Sequence, residues 1–294
     1  MGDSYSAAVS APAPTARPEL GPELARKDAL LDARLREAGR LIVAFSGGVD
    51  SSYLAFAADR ALGENSLSVT ALSPSYPRAH REAADAVVAA FSLRHRFVET
   101  RELESADYRA NRPDRCYHCK SELFGVLERL RDELGFRAVA YGINTDDRGD
   151  FRPGHRAADE RGVLSPFLDA SLSKQEIRAL SRAAGLPTAD LPASACLASR
   201  LPYGTEVTPE RLGQVERGEE ALRALGFRQL RVRHHGPLAR VEIDPAELPR
   251  AFDPEMARRI SAALKAQGFR FVALDLDGYR TGSLNEVLAA AMRR

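Results

Sequence analysis

Residues 46–52 read SGGVDSS and lie between the apolar run LIVAF (41–45) and the segment YLAFAADRALG (53–63). A short continuous apolar run is typical of a strand buried in a parallel sheet, and the segment after the quoted stretch has the pattern of a helix. Gly47 and Gly48 therefore lie where a strand turns into a helix. Glycines at such a turn permit positive φ and the close approach of an anion, towards which the first helix amides point. The stretch predicts a phosphate site at the carboxyl end of the first strand.

The polar side chains of this stretch narrow its chemistry. Ser46, Ser51 and Ser52 can donate hydrogen bonds to a phosphate, whereas the carboxylate of Asp50 cannot. Asp50 fits one of two roles: it binds Mg²⁺ carried by an anionic ligand, or it caps the helix. No lysine follows the glycines, so the stretch is not a Walker A loop. The alternative without a ligand is a tight turn followed by a helix cap.

Strand and helix patterns alternate from residue 23 to about residue 185. This alternation predicts an α/β fold with a parallel sheet and helices on both faces. The apolar patterns place strands at 41–45, 66–73, 95–100 and 137–144, and helices at 23–38, 52–62, 77–91, 116–135 and 173–185. Ser173 and Glu176 have the spacing of a capping box at the start of the last of these helices.

The pattern changes after LPASACLASRLPYG (191–204). Helices are predicted at 208–227 and 254–269, and strands within 228–243 and at 270–279, which together form a small α+β unit. We expect three parts: a disordered tail rich in Ala, Pro and Ser at 1–22, an α/β domain at 23–203 and a C-terminal α+β domain at 204–294. The stretch 145–165 is expected to be a loop that shields a bound intermediate from water together with the second domain.

The overall composition excludes several classes of protein. The 294 residues are 44% apolar and 28% charged with a net charge of +1, so charge indicates neither nucleic acid nor a membrane surface as a partner. No run of 18 apolar residues is present, and the N-terminus lacks the basic start and apolar stretch of a secretory signal. We expect a cytoplasmic protein whose three cysteines, Cys116, Cys119 and Cys196, stay reduced.

SGGVDSS resembles the PP-loop, SGGxDS, of the N-type ATP pyrophosphatases. These enzymes cleave ATP between the α- and β-phosphates and transfer AMP to an acyl or carbonyl oxygen, and they include GMP, NAD and asparagine synthetases and tRNA thiolation enzymes. The resemblance implies that ATP and Mg²⁺ bind at this loop and that Asp50 is catalytic. The residues that it assigns to ATP are Ala44, Ser46, Gly47, Gly48, Asp50 and Ser51 at the loop, Leu72 and Ser73 at the adenine, and Gly142 and Asn144 near the adenosine.

Five further motifs narrow the resemblance to one family. They are RPDRCYHCKSELF (112–124), YGINTDDRGDFRPG (141–154), SPFLDASLSKQEIRALSRAAGLP (165–187), PASACLASRLPYG (192–204) and GYRTGSLNE (278–286). Over residues 24–290 they resemble LarE, the ATP-dependent sulfur transferases that build the nickel-pincer nucleotide of lactate racemase. The resemblance implies that a carboxylate of pyridinium-3,5-biscarboxylic acid mononucleotide is adenylated and then converted to a thiocarboxylate. It also implies a homo-oligomer and leaves room for a sulfur donor protein.

The cysteines admit several interpretations. Cys116 and Cys119 fit a redox dithiol, half of a zinc site, part of an iron–sulfur site or plain packing. Zinc wants a fourth ligand, which is missing unless His118 turns inwards, and a redox dithiol leaves Cys196 without a partner. Three thiolates on one [4Fe-4S] cluster leave one iron open for an added sulfide. The LarE resemblance implies either this cluster or a catalytic Cys196 that gives up its own sulfur and becomes dehydroalanine, and the presence of the CxxC pair favours the cluster.

Two arginines near the domain boundary suggest where a substrate phosphate binds. Arg231 and Arg233 lie two apart on a predicted strand, so both side chains face the same side. For this pair alone, a solvated strand face is the simpler explanation. The LarE resemblance instead assigns a substrate-phosphate site to Ser199, Arg200, Arg231 and Arg233.

Other polar residues of the C-terminal unit have side chains of the types that bind metal ions. Glu219, Glu220 and Glu242 fit either a bound cation or ordinary helix and strand carboxylates. His234 and His235 are neighbours in a predicted turn, where we expect them to be exposed rather than bound to a metal.

Two other classes of function share parts of this pattern. A PP-loop tRNA thiolation enzyme would use the same ATP and cysteine chemistry, but it needs a basic RNA-binding surface, against which the net charge of +1 and the absence of Trp argue. An amide-forming PP-loop synthetase or a noncatalytic AMP-binding module would have no use for three cysteines.

Overall fold

The protein is described by a computed structural model that covers residues 20–149, 153–192, 195–280 and 282–283. Most of the predicted tail at 1–22 lies outside these residues. Leu20 packs against the core, and the first helix begins at Pro22, so the last three residues of the predicted tail belong to the folded part.

The first part of the chain alternates strands and helices as the sequence predicts. The strands are β1 (Leu41–Ala44), β2 (Ser66–Leu72), β3 (His95–Glu99) and β4 (Ala138–Tyr141). The longer helices are α1 (Pro22–Ala38), α2 (Val49–Leu62), α3 (Arg78–Phe91), α5 (Arg115–Leu134) and α8 (Lys174–Ala184). Three short helices were not predicted: α4 (Ala106–Arg109), α6 (Pro153–Asp159) and α7 (Pro166–Asp169).

The four strands form one parallel sheet in the order β3-β2-β1-β4, with helices on both faces. Strand β1 lies between β2 and β4, and all of its side chains are buried. They point alternately to the two faces of the sheet. Leu41 and Val43 pack into a core with helices α1, α2 and α8, whereas Ile42 and Ala44 pack into a second core with α5 and α6. Burial on both faces explains the continuous apolar run in the sequence.

The C-terminal part is the predicted small α+β unit. It contains α9 (Pro209–Ala224), β5 (Leu230–His235), β6 (Leu238–Ile243), α10 (Leu248–Ala251), α11 (Pro254–Lys265) and β7 (Phe271–Leu274). The three strands form a mixed sheet, in which β5 and β6 are antiparallel and β7 runs parallel to β6. Helices α9 and α11 pack against this sheet and form an apolar core with it.

A shared apolar cluster joins the two parts. Tyr108 of α4 packs with Leu197 and Leu201, which follow Cys196, and with Leu212 and Val215 of α9. The boundary predicted at 203/204 therefore lies within a segment that contacts both parts.

The stretch 145–165 differs from the covering loop that was expected. Helix α6 packs on α5, with Ala157 and Ala158 fully buried in the second core. Leu164 then forms a parallel bridge with Ala140 at the free edge of β4. In the described ranges, no helix combines the length and the apolar character that a membrane span requires.

Candidate functional site

The strand order reverses at the crevice between β1 and β4. Strands β2 and β3 extend the sheet on one side of β1, and β4 lies on the other side. Ligands of open α/β sheets bind at the carboxyl ends of the strands at such a point. A Cβ atom on Gly142, just after β4, would lie 3.1 Å from the backbone of Asp50 and Ser51. Any side chain at this position would be in tighter than ordinary contact, so glycine favours the close approach of the end of β4 to the start of α2.

The SGGVDSS turn is held open towards this crevice by its own polar groups. The Ser51 hydroxyl accepts a bond from the Ser46 amide at 3.1 Å and donates to the Gly48 carbonyl at 3.1 Å. Gly47 has φ +71°, and a Cβ there would lie 2.4 Å from the carbonyl oxygen of His80 in α3. Helix α2 begins at Val49 without a side-chain cap, so its first amides remain available to an anion.

Asp50 is a half-buried carboxylate with one unsatisfied oxygen. Its Oδ2 lies 2.5 Å from Nζ of Lys174, whereas Oδ1 is buried and has no hydrogen-bond partner in the described part of the chain. Burial raises the pKa of Asp50, and the Lys174 ammonium only partly offsets this. Because the N-cap of α2 is Gly48, Asp50 does not cap the helix. An orphaned buried carboxylate oxygen beside a phosphate cradle fits a ligand of Mg²⁺.

Lys174 is a site residue that the sequence reasoning missed. It is the first residue of α8, between Ser173 and Glu176, and these two residues form the predicted capping box. Its backbone amide donates to Asp146 at 3.1 Å. A cation in the first turn of a helix is electrostatically unfavourable, so a lysine at this position in SLSKQE is itself a signal of another role.

The remaining residues assigned to ATP surround the crevice in different ways. Leu72 and Ser73, which the resemblance assigns to the adenine, line an open cavity of about 420 Å³ beyond the end of β2. Ala44 is buried in the second core. Asn144 is also buried, and its side-chain oxygen accepts a bond from the Asp146 amide at 3.0 Å, so it shapes the loop after β4.

The three cysteines are brought together from two distant segments. Cys116 and Cys119 lie at the start of α5, and Cys196 precedes a short 3₁₀ turn at Leu197–Arg200. Cys116 is exposed, whereas Cys119 and Cys196 are half-buried. Desolvation of the thiols raises the pKa of Cys116 and of Cys119, and the nearby Cys196 contributes to both shifts. The guanidinium of Arg115, only 4% exposed, donates to the carbonyl of Ala198 at 3.0 Å and so fastens the Cys196 segment to α5.

The charge of Arg115 suggests what this cysteine site holds. The described hydrogen-bond partners of this guanidinium are neutral, the side-chain oxygen of Asn111 and the carbonyl of Ala198, and Cys196 and Cys116 are the charges that most raise its pKa against burial. A buried charge without a counter-ion is strongly unfavourable. Negative charge on Cys116 or Cys196 would neutralise this guanidinium. Among the described residues, no three His, Cys, Asp or Glu side chains converge on a single metal ion.

The residues assigned to the substrate phosphate form a buried ionic network. Arg200 binds Glu219 with two bonds of 2.8 and 3.1 Å, and Arg233 binds Glu242 with two bonds of 2.9 and 2.8 Å. Arg200 also donates to the carbonyls of Ala195 and Cys196 at 2.7 and 3.1 Å. With 1% of its surface exposed, Arg200 holds the Cys196 segment, and the phosphate-binding role predicted for it is not supported.

The same network corrects the cation hypothesis for the glutamates. Glu219 also pairs with Arg223, Glu242 also pairs with Arg240, and Glu220 pairs with Arg78 on the surface. These carboxylates neutralise arginines instead of forming a cation site. Ser199 likewise contributes to the segment: its hydroxyl donates to the Cys196 carbonyl at 2.8 Å, and its carbonyl accepts from Arg233 at 2.7 Å.

Arginines nevertheless outnumber carboxylates in this network, and the excess charge affects neighbouring groups. Arg231 is 8% exposed and stacks over the ring of Tyr279 at 4.9 Å, so the strand face is not solvated. Burial and Arg200 lower the pKa of Arg231 to about 10. Burial and the arginines Arg200, Arg231 and Arg223 lower the pKa of His80 to about 4. The positive charge of the network therefore acts on the imidazole of His80 in α3.

The two neighbouring histidines differ from each other. His235 is exposed, as expected. His234 is buried, contrary to the prediction, because its ring packs against Phe269 and its Nε2 lies 3.1 Å from Oε1 of Gln214.

Comparison with known proteins indicates the family of this chain. An uncharacterized protein of Synechocystis sp. is 43% identical over 252 residues, which is 86% of this chain and 94% of the relative. Pyridinium-3,5-bisthiocarboxylic acid mononucleotide synthase of Lactiplantibacillus plantarum is 34% identical over 269 residues, 91% of this chain and 97% of the relative. The chain belongs to the LarE family. Residues 28–127 also match the asparagine synthase family, a PP-loop family.

A more distant relative is similar to only half of this chain. One of the subunits of the glutamine-hydrolyzing GMP synthase from Methanothermobacter thermautotrophicus is 27% identical over 158 residues, half of each chain. Like the asparagine synthase match, this similarity reflects the PP-loop superfamily to which the LarE family belongs.

Removing Glu219 is expected to destabilise this LarE-family protein more than any surface carboxylate. Glu219→Ala leaves Arg200 buried without its counter-ion, which costs about 3–5 kcal/mol in the free energy of unfolding. The matched control is Glu220→Ala, one residue along α9, whose surface ion pair with Arg78 contributes less than about 1 kcal/mol. Urea unfolding followed by circular dichroism measures both. Equal losses in the two variants would contradict a buried ionic network.

Proposed function

We propose that this protein is an ATP-dependent sulfur transferase that acts on pyridinium-3,5-biscarboxylic acid mononucleotide. The observation that carries the proposal is the juxtaposition of a PP-loop crevice with a three-cysteine site, which are joined by the Cys196 segment. The name of the 34% identical relative, a synthase of the bisthiocarboxylic acid mononucleotide, supports the same substrate.

The first step activates a carboxylate of the substrate. A carboxylate oxygen attacks the α-phosphorus of ATP, the bond to the bridging oxygen breaks, and pyrophosphate leaves. The amides at the start of α2 and the Ser46 and Ser51 hydroxyls would bind the departing pyrophosphate. Asp50 would hold Mg²⁺ through its unsatisfied oxygen, and Lys174 would offset negative charge beside it. The product is an acyl-adenylate.

The second step replaces AMP with sulfur. A sulfur nucleophile adds to the acyl carbon, the carbon–oxygen bond to AMP breaks, and a thiocarboxylate forms. Cys116, Cys119 and Cys196 would supply three thiolate ligands to a [4Fe-4S] cluster, with Arg115 as their buried counter-ion. When bound, such a cluster leaves one iron open to carry the sulfur that is transferred. The alternative is that Cys196 donates its own sulfur and becomes dehydroalanine.

The arginine network would attract the phosphate of the mononucleotide. Arg231 and Arg233 are the better candidates of the four residues first assigned to it, because Arg200 is enclosed between Glu219 and the Cys196 segment. The excess of arginines would favour a dianionic phosphate at the rim of the network. A homo-oligomer and a protein that resupplies sulfur are further parts of this proposal.

The nucleotide products test the proposed function. Incubation with ATP and Mg²⁺ should release AMP and pyrophosphate in equal amounts, and only when the mononucleotide is present. Chromatography of the nucleotides distinguishes AMP from ADP. Release of ADP, or AMP release that ignores the mononucleotide, would contradict the proposal.

A further inference from the structure

The turn that follows β2 contains a buried serine that contacts several parts of the site. Ser75 is 3% exposed, and its hydroxyl lies 2.9 Å from the hydroxyl of Ser73 on the wall of the nucleotide cavity. The carbonyl of Ser75 accepts a bond of 2.9 Å from the amide of Leu197, the residue after Cys196. One residue thus joins the adenosine side of the site to the cysteine segment.

The same hydroxyl is linked to the surroundings of Cys119 through a carboxylate. Ser75 donates to Oε1 of Glu102 at 2.9 Å, and Glu102 is 3% exposed. Glu102 lies near Cys119, since its charge contributes to the raised pKa of that buried thiol. Across the described ranges, no lysine, arginine or histidine forms an ion pair with Glu102. Its hydrogen bond with Ser75 is therefore the main constraint that the structure places on this carboxylate.

The turn is also tied to the PP-loop. The hydroxyl of Tyr76 donates to the carbonyl of Ser46 at 3.1 Å, and the amide of Tyr76 bonds to the carbonyl of Ser73 at 3.0 Å. Residues 73–76 therefore contact the phosphate loop, the nucleotide cavity and the cysteine site together. A nucleotide in this cavity would contact Ser73, which lies at one end of this chain of hydrogen bonds. The segment that contains Cys196 lies at the other end.

We propose that Ser75, supported by Glu102, is a positioning residue that couples nucleotide binding to the placement of Cys196. The inference rests on the proposed function, because it explains how sulfur is presented only when an adenylate is in place. Without the Ser75 hydroxyl, AMP would still form. The cysteine site would then be misplaced, and water would hydrolyse the acyl-adenylate to AMP and the original carboxylate.

The ratio of AMP to thiocarboxylate tests the coupling. In Ser75→Ala we expect the KM for ATP and the rate of AMP formation to stay near those of the unmodified protein. The number of AMP molecules released per thiocarboxylate should rise about tenfold, because a small displacement of a reacting group costs that much or more in rate. Ser75→Thr, which keeps the hydroxyl, should restore the ratio. Ser68→Ala, in the buried part of β2 away from the turn, is the matched control.

Hydrogen exchange supplies a readout that needs no turnover. In the unmodified protein, saturating AMP should slow amide exchange in the peptide that contains Leu197, and Ser75→Ala should abolish this protection. This arm separates the two proposals: a protein that never forms AMP would refute the proposed function but could still show AMP-dependent protection. Equal protection in both proteins, or equal loss of AMP and thiocarboxylate in Ser75→Ala, would overturn the inference.

Discussion

Replacing Asp50 with asparagine is expected to slow AMP and pyrophosphate formation by on the order of a hundredfold or more, which is typical of losing one preorganised electrostatic contact. Asparagine keeps the volume of the side chain but removes the charge that would bind Mg²⁺ and pair with Lys174. The fold should persist, because Asp50 does not cap α2 and its partner Lys174 is partly exposed. Release of AMP measured by chromatography, with circular dichroism as the check on folding, gives the result.

Asp59→Asn is the control for this change. It removes a carboxylate from the same helix, more than two turns beyond the crevice, and should leave the rate unchanged. Asp50→Asn that retains normal AMP formation would rule out the role assigned to this carboxylate. Loss of helical signal in Asp50→Asn would show instead that Asp50 is needed for folding.

The second large effect concerns the cysteines. Cys116→Ala, Cys119→Ala and Cys196→Ala should each reduce sulfur transfer to background, while AMP formation partly survives. The reason is that the three thiols would be ligands of one iron site, which lacks a ligand when any of them is missing. Iron and acid-labile sulfide in anaerobically purified protein should fall in parallel in the three variants.

The sacrificial route predicts a different pattern for the same variants. Only Cys196→Ala would be inactive, and Cys116→Ala and Cys119→Ala would transfer sulfur almost normally. The unmodified protein would lose the mass of one H₂S after turnover, with dehydroalanine at position 196. Mass spectrometry of the reacted protein, together with the absence of iron, would then exclude the cluster.

Local patterns were sufficient to predict most of the fold. The apolar run of β1, the glycines after it and the capping box of α8 each depend on residues within a few positions of one another. Their conformations follow from burial, positive φ and backbone hydrogen bonds, all of which leave a signature in the sequence. The positions of the PP-loop and of β4 across one crevice followed from the parallel sheet.

The parts of the site that depend on distant pairs were harder to predict. Lys174 meets Asp50 across 124 positions, and Arg200 meets Glu219 across 19, so neither pairing leaves a local pattern. Arg200 was expected to bind a phosphate and His234 to be exposed, yet both are buried because they have partners from other elements. The family resemblance assigned the arginines to one region but could not say which of them were already paired.

The most direct test of the whole account is the mass of the small-molecule product. The protein, purified without oxygen, is incubated with ATP, Mg²⁺ and pyridinium-3,5-biscarboxylic acid mononucleotide, and the mononucleotide is then analysed by mass spectrometry. The account predicts that one carboxylate oxygen is replaced by sulfur and that AMP appears with it. A mononucleotide of unchanged mass, or one that remains adenylated although all three cysteines are intact and reduced, would contradict it.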